Sequence, residues 1–385
     1  MEEAVKRACE HFAALVREQL ERVEALRRRE PPLDFATLRP VRIGFIGGDG
    51  IGPIIAAQTR RVLEDLLREE IENGAVEVRT IEGLTIENRF RVGKAVPDDV
   101  LEQVKQCHVL LKGPTETPQK GDPRGDLESA NVFLRRALDL YANVRPVKVP
   151  SLGIDWTFFR ENTEGAYILG SRGVEVTGDL TFDFKVITRP GAERIIKTAF
   201  EYAKRTGKKR VTVVTKANVV KTTDGLFSAV AKEIAAQYPE ITCDEWYVDI
   251  VAAKLIDPAR QKDFQVFVLP NLYGDILTDE AAQLQGGVGT AGSANVGDRY
   301  AMFEAIHGSG TRMVREGRAA YADPSSMLRA LVMLLEHIGR LEAAAKLSRA
   351  LDIATVEEKR VKVTGRPGGA TAEQFTDYLL ELLQG

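Results

Sequence analysis

The sequence predicts an α/β fold built on a largely parallel sheet. Three observations lead there. Short runs rich in Val, Ile, Leu and Phe recur as "VRIGFIG" (41–47), "HVLLKGP" (108–114), "RVTVVT" (210–215) and "FQVFVLP" (264–270), each of strand length. Helical patterns alternate with them, as in "IIAAQTRRVLEDLLREEI" (54–71) and "SANVFLRRALDLYA" (129–142). The 385 residues, 44% of them hydrophobic, suffice for a sizeable core and suggest two domains, possibly interleaved.

Residues 2–30 read as one charged amphipathic helix, with Phe12, Leu15, Val16, Leu20, Val23 and Leu26 on a broad apolar side. Pro31 and Pro32 end it, and Arg27 to Arg29 read as its solvated end. As an extension over residues 1–40 it is expected to append to the domain that starts near Val41, packing on its own domain or meeting a second subunit.

The first strand leads into "GGDGIGP" (47–53) and then a helix. Gly48, Gly50 and Gly52 give G-x-G-x-G, which lacks the spacing of a dinucleotide fingerprint, so a tight strand-to-helix turn competes with nucleotide contact here. Ser129 is placed to cap the helix that follows it. The segment 165–188 is rich in Gly, Thr and β-branched residues, which predicts antiparallel hairpins or an arm. Beyond Asp323-Pro324 the pattern is mainly helical.

A net charge of −3 offers no basic field for nucleic acid, and no apolar run is long enough to span a membrane. Cys9, Cys107 and Cys243 lie far apart, without metal spacing, and are expected as buried thiols in a reducing compartment. The N-terminal helix has no apolar signal core and carries many acids, so a cytoplasmic location is expected.

The strand 264–270 runs into "PNLYGDILTDEAAQL" (270–284), where a helix is expected from Asp275. Asp275 and Asp279 then share one face, where like charges repel unless a cation lies between them. Oxygen-only ligands suit Mg²⁺ or Mn²⁺, whereas a helix N-terminus that welcomes acids explains Asp275 better than Asp279. Other stretches carry polar groups that are costly to bury alone: Ser129, Asn131, Arg135 and Arg145; Arg160 and Tyr167; Lys216 and Asn218; Asp249. Arginine forks on element ends suit a small polyanion, although each arginine alone reads as an ion-pair residue.

Together, "GGDGIGP", "LKGPTETP", "LDLYANVRP", "RENTEG", "TKAN", "NLYGDILTD" and "EAIHGS" occur in an order that resembles the β-decarboxylating dehydrogenases, the isocitrate and isopropylmalate dehydrogenase family. The resemblance runs from Val41 to the C-terminus and is closest to isocitrate dehydrogenase. It implies a two-domain α/β/α sandwich that is not a Rossmann fold, with an antiparallel arm, to which this chain adds its N-terminal helix. Residues 41–140 and 286–385 would form the large cofactor-binding domain, and 141–285 the small domain with the dimer interface and arm.

By the same resemblance Asp275 and Asp279 bind Mg²⁺ or Mn²⁺, with Asp249 arriving from the second subunit of a homodimer. Arg135, Arg145 and Arg160 would hold the substrate's carboxylates. Lys216, again from the second subunit, would help remove the 2-hydroxyl proton, and Tyr167 would protonate C3 after loss of CO₂. Thr117, Asn218, Glu304, His307, Gly308, Arg312 and Asp323 would meet the dinucleotide. The isocitrate branch carries Ser-x-Asn ahead of the first arginine, and "SANVFLR" has that form. An isopropyl group would leave Ser129 and Asn131 unpaired, at roughly 1–3 kcal/mol for each buried group, so isocitrate is expected, with homoisocitrate and isopropylmalate as alternatives. A non-catalytic regulatory subunit is the lesser alternative, since such a subunit would be expected to lose base, acid or metal ligands that are all present here. After "HGS" stands "GTR", similar to the Thr-Arg of eukaryotic-type NADP enzymes, so Arg312 favours NADP over NAD; Asp323 is the candidate for the ribose diol if NAD is used.

Overall fold

The computed structural model describes residues 2–28, 31–118, 121–170, 172–287 and 291–384. Arg29 and Glu30 at the end of the expected first helix, and Ser171 in the expected arm, lie outside the described residues. The chain divides into two compact units: Met1–Pro31 with Tyr141–Ala281, and Pro32–Leu140 with Ala282–Gly385.

In the second of these, β1 (Val41–Ile46) pairs in parallel with β2 (Val76–Thr80) and with β3 (Val109–Lys112). Its glycine-rich exit is a lock. Gly48 and Gly50 have φ of +76° and +63°, and a Cβ on either would come within 2.2 Å of the Pro114 carbonyl or 2.0 Å of the Ser309 carbonyl. Asp49 N–H donates to Pro114 O (2.7 Å), and Ile51 N–H to Ser309 O (2.9 Å). The Asp49 carboxylate accepts from Ile86 N and Glu116 N, both at 2.7 Å. The expected helix 54–71 is two, Gly52–Leu66 and Arg68–Glu72, divided at Leu67.

The other unit holds β4 (Ala142–Val149), β5 (Ile154–Glu161), β8 (Arg210–Thr215), β9 (Thr242–Tyr247) and β10 (Val266–Leu269). β4 and β5 are antiparallel; β5, β10, β8 and β9 follow in parallel. β10 is wholly buried, as its unbroken apolar run requires. Its Phe267 stacks on Phe158 and meets Trp156 edge-on and Phe264 at a tilt. β6 (Val174–Thr177) and β7 (Leu180–Phe182) form the antiparallel hairpin expected within 165–188. In the unit that holds β1, β11 (Gly292–Val296) runs antiparallel to β12 (Ala301–Ala305), which lies parallel to β3. The described residues beyond β12 are helical or irregular, with long helices at Ser325–His337, Leu341–Asp352 and Ala372–Gln384.

Three local expectations are corrected. The helix Glu2–Arg27 joins the unit 141–281, not the one that begins before Val41. Its Leu15 is buried with Ile168, Leu169 and Val174, and Phe12 meets Phe184 at 4.8 Å, so the hairpin region covers part of the apolar side, while Phe12, Val16 and Leu20 stay largely exposed. Cys9 on this helix is exposed; Cys107 is buried and Cys243 half-buried. The helix expected from Asp275 starts at Asn271 and runs to Leu284, which removes Asp275 from the first turn and weakens the helix-dipole explanation for it.

Candidate functional site

The acids and arginines of the unit 141–281 converge on the helix Asn271–Leu284. Arg145, on β4, donates from Nη1 to Asp279 Oδ1 (2.9 Å) and Thr278 Oγ1 (2.6 Å). Arg160, at the end of buried β5, donates to Asp275 Oδ1, and from Nε and Nη2 to Asn271 Oδ1 at 2.9 and 2.7 Å. Its stem crosses the helix where Gly274 stands: a Cβ there would lie 2.5 Å from Arg160 Cγ. Tyr167 O–H donates to Asp275 Oδ2 at 2.9 Å. Five expected residues, Arg145, Arg160, Tyr167, Asp275 and Asp279, are thus joined by direct bonds.

Lys216 and Asp249 form a second group. Lys216 follows β8, and its Nζ donates to Asp249 Oδ1 near the start of the helix Val248–Leu255. That bond holds the Asp249 carboxyl below the usual carboxylate range. The Lys216 backbone N–H is fixed by Asp224 Oδ2 (2.7 Å), a fully buried carboxylate that also takes Lys185 and the Tyr273 hydroxyl. Asn218 lies exposed in the following turn. Among the described residues no three His, Cys, Asp or Glu side chains gather as a metal group, so one chain does not bring Asp249 to Asp275 and Asp279.

The donor set still fits a hard divalent ion. Asp275 and Asp279 are 38% and 58% exposed, supply only oxygen, and sit one helical turn apart with their charge now balanced by Arg160 and Arg145.

In the unit that contains β1, Ser129 precedes the helix Ala130–Ala137. It occupies the cap position, but its hydroxyl makes no cap bond and instead lies 3.4 Å from Thr117 Oγ1. Thr115 donates to Asn131 Oδ1 at 3.2 Å, which leaves the amide NH₂ as the donor toward a ligand. Arg135 donates to Glu304 Oε1 (3.2 Å). Glu304, expected at the nucleotide, is 4% exposed and is held by Lys112, Arg135 and Asn295. Burial pushes its carboxyl up, but Lys112, Arg135 and the Asn295 amide outweigh this and hold it down at about 2.

Of the remaining nucleotide candidates, Thr117 and Gly308 are exposed and His307 is half-buried, with Nδ1 3.0 Å from Gly308 O. Arg312 is 81% exposed and donates to Glu316 at 2.6 Å; Arg318 binds the same carboxylate. Asp323 accepts from Ser325 N (2.9 Å) just ahead of the helix Ser325–His337.

Residues 42–379 match the family model described as isocitrate/isopropylmalate dehydrogenase. The chain belongs to this family. It is 36% identical over 355 residues to "Isocitrate dehydrogenase [NAD] subunit 2, mitochondrial" of Schizosaccharomyces pombe, covering 89% of this chain and 87% of that one. It is 37% identical over 349 residues to the isocitrate/homoisocitrate dehydrogenase of Thermus thermophilus, covering 89% and 98%. The solved isocitrate dehydrogenase of Methylococcus capsulatus superposes with a TM-score of 0.78 at 35% identity, covering 89% and 99%. The chain is therefore a decarboxylating dehydrogenase of this family, with the mixed α/β architecture expected for it.

Sequence reasoning missed Asn271, Asp224 and Thr278, which hold Arg160, Lys216 and Arg145 in place. For Asn271 the available signal was a polar residue directly after a buried apolar run; Asp224 and Thr278 lie inside helices and carry no such signal.

Proposed function

We propose that this enzyme oxidatively decarboxylates isocitrate to 2-oxoglutarate and CO₂ with reduction of NADP, as a metal-dependent cytoplasmic homodimer. The observation that carries isocitrate is the polar start of the helix Ala130–Ala137: Ser129 and Asn131 precede Arg135, and Thr115 turns the Asn131 amide so that NH₂ is its donor. A third carboxylate uses that donor; an isopropyl group does not. Homoisocitrate, one methylene longer, is the second reading, because a relative named for both substrates is equally similar.

Arg145 and Arg160 bind the carboxylates next to the reacting carbons, each held by a side chain of the helix Asn271–Leu284. A divalent ion on Asp275 and Asp279 supplies Lewis-acid stabilisation of oxygen charge, and the dinucleotide supplies the hydride acceptor. Lys216 helps to remove the hydroxyl proton, accepting it as the neutral amine, with Asp249 fixing the position of Nζ. Tyr167 delivers a proton to C3, giving up the bond by which its hydroxyl is held to Asp275 in the free chain. Lys216 and Asp249 serve the site of the second subunit. The unit containing β1 takes the dinucleotide, and the unit 141–281 carries the dimer contact and arm.

NADP rests on Arg312, whose present bond is an exposed surface pair with Glu316, of the kind that contributes little in water and yields readily to a phosphate. The same pair favours NAD as the second reading if Arg312 stays tied, with Asp323 at the ribose diol.

The test of substrate choice is Asn131→Leu combined with Ser129→Val. The ratio of kcat/KM for isocitrate to that for isopropylmalate should fall by at least about tenfold, the size of one lost hydrogen bond to a charged group. An unchanged ratio contradicts the assignment.

A further inference from the structure

We infer that the N-terminal helix Glu2–Arg27 is a strut for the substrate-binding arginine, and that Arg22 positions Arg160 through Glu164 and Asn271. The helix lies wholly ahead of the family match, which begins at residue 42.

Arg22 reaches from this helix to the turn that follows β5. Its Nη1 donates to Glu164 Oε2 (2.8 Å), and its Nη2 to Thr163 Oγ1 (3.1 Å). Glu164 is fully buried and also accepts from the Thr188 N–H (3.0 Å) and hydroxyl (2.8 Å). The Thr163 hydroxyl receives a second arginine, Arg194 (2.9 Å), and donates to Glu161 (2.6 Å), which fills its one donor and two acceptor sites. Glu161 takes in addition the N–H groups of Thr163 and Glu164. Of these two buried carboxylates three residues apart, Glu164 is paired directly with the arginine lent by the N-terminal helix, and Glu161 is held through Thr163, which also receives Arg194.

Beyond the chain itself, the Asn271 side chain couples this turn to Arg160. The Glu164 carbonyl accepts from Asn271 Nδ2 (3.0 Å), and Asn271 Oδ1 accepts both Nε and Nη2 of Arg160. The path Arg22–Glu164–Asn271–Arg160 uses only short hydrogen bonds between buried or half-buried groups, where little water can substitute for a lost partner. The helix itself is seated independently by Leu15 in the cluster with Ile168 and Leu169, by Glu18 to Arg172 (2.7 Å) and by His11 to Arg172 O (3.0 Å). Loss of the Arg22 guanidinium thus removes the strut tip while the helix stays in place.

The inference rests on the proposed function only in that Arg160 binds a substrate carboxylate. Arg22→Met should raise KM for that substrate by about tenfold, the effect of one misplaced charge-assisted contact, with kcat changed less than about twofold and KM for the dinucleotide unchanged. Arg22→Lys, which can still reach Glu164, should recover most of the loss. Asn271→Ser should raise the same KM, and the double variant should be less than multiplicative, since both act on Arg160. Amide hydrogen exchange, read without substrate, should rise in the Arg22→Met variant at 161–165 and 271–275 and not across β8 and β9. Multiplicative effects, or unchanged exchange in those two segments, overturn the strut. Wild-type enzyme inactive on every 2-hydroxy acid overturns the proposed function instead, and leaves the exchange result to decide the strut.

Discussion

Tyr167 and Asp275 share a hydrogen bond of 2.9 Å, from the phenol to Oδ2, while Arg160 occupies the other oxygen of the same carboxylate. One acid thus orders both a proton donor and a carboxylate-binding arginine. A metal ion on Asp275 would have to share it with both. Tyr167→Phe should retain the fold and substrate affinity but lower kcat by about a hundredfold or more, as expected for loss of a general acid. Rapid-quench turnover with kcat near wild type contradicts the role.

Asp275→Asn and Asp279→Asn should each abolish Mn²⁺-dependent turnover at ordinary metal levels, with circular dichroism unchanged. Direct Mn²⁺ binding, followed by the ion's paramagnetic resonance, should weaken in both variants. Near-normal binding in either removes that residue from the metal site.

Lys216 and Asp249 are bonded to each other and are not gathered with Asp275 and Asp279 into a three-acid group among the described residues. If they serve a second subunit's site, inactive Lys216→Met mixed with inactive Tyr167→Phe should regain partial activity through hybrid dimers with one intact site. No recovery after demonstrated subunit exchange counts against sharing.

Arg312→Asp should lower kcat/KM for NADP by about tenfold to a few hundredfold and leave NAD use unchanged or improved, because the acid can accept from a ribose diol. Equal losses with both cofactors would mean that Arg312 only ties its helix to Glu316.

Two buried carboxyls should shape acid stability with opposite sign. Burial, with Glu164 beside it, pushes Glu161 up to about 7 against the pull of Arg194, Thr163 and Arg22. The folded chain then binds the proton more tightly than the unfolded one, so this group's contribution falls as pH rises from its ordinary carboxyl range through about 7. Glu304, held at about 2, contributes stability above the ordinary carboxyl range that is lost as pH falls toward 2. Urea unfolding should therefore show Glu161→Gln flattening the slope between pH 5 and pH 7 (about two units, within the linkage window), and Glu304→Gln flattening the acid limb. The reverse pattern refutes the assignments.

Much of this architecture was legible because buried parallel strands write themselves as apolar runs, as at Val266–Leu269, and because polar residues at their ends mark a site, as Arg160 and Lys216 do. Boundaries were less legible. Gly274 reads as a helix breaker, yet it stands inside the helix because only a missing Cβ lets the Arg160 stem cross. Ser129 has the type of a cap but turns to Thr117. Glu304 looks like a ligand-facing acid in "EAIHGS", whereas β12 buries it against Lys112 and Arg135. The N-terminal helix was expected on the domain that starts near Val41 but joins the unit 141–281, because an amphipathic pattern does not name the surface its apolar side meets.

The most direct test of isocitrate as the substrate is the reduction of NADP⁺ and NAD⁺ by the purified enzyme with isocitrate, homoisocitrate and isopropylmalate, each with and without Mn²⁺. The account predicts the highest kcat/KM with isocitrate and NADP⁺, CO₂ released in step with reduced cofactor, and loss of turnover when the metal is chelated. A higher kcat/KM with isopropylmalate or homoisocitrate, or turnover indifferent to metal, would contradict it.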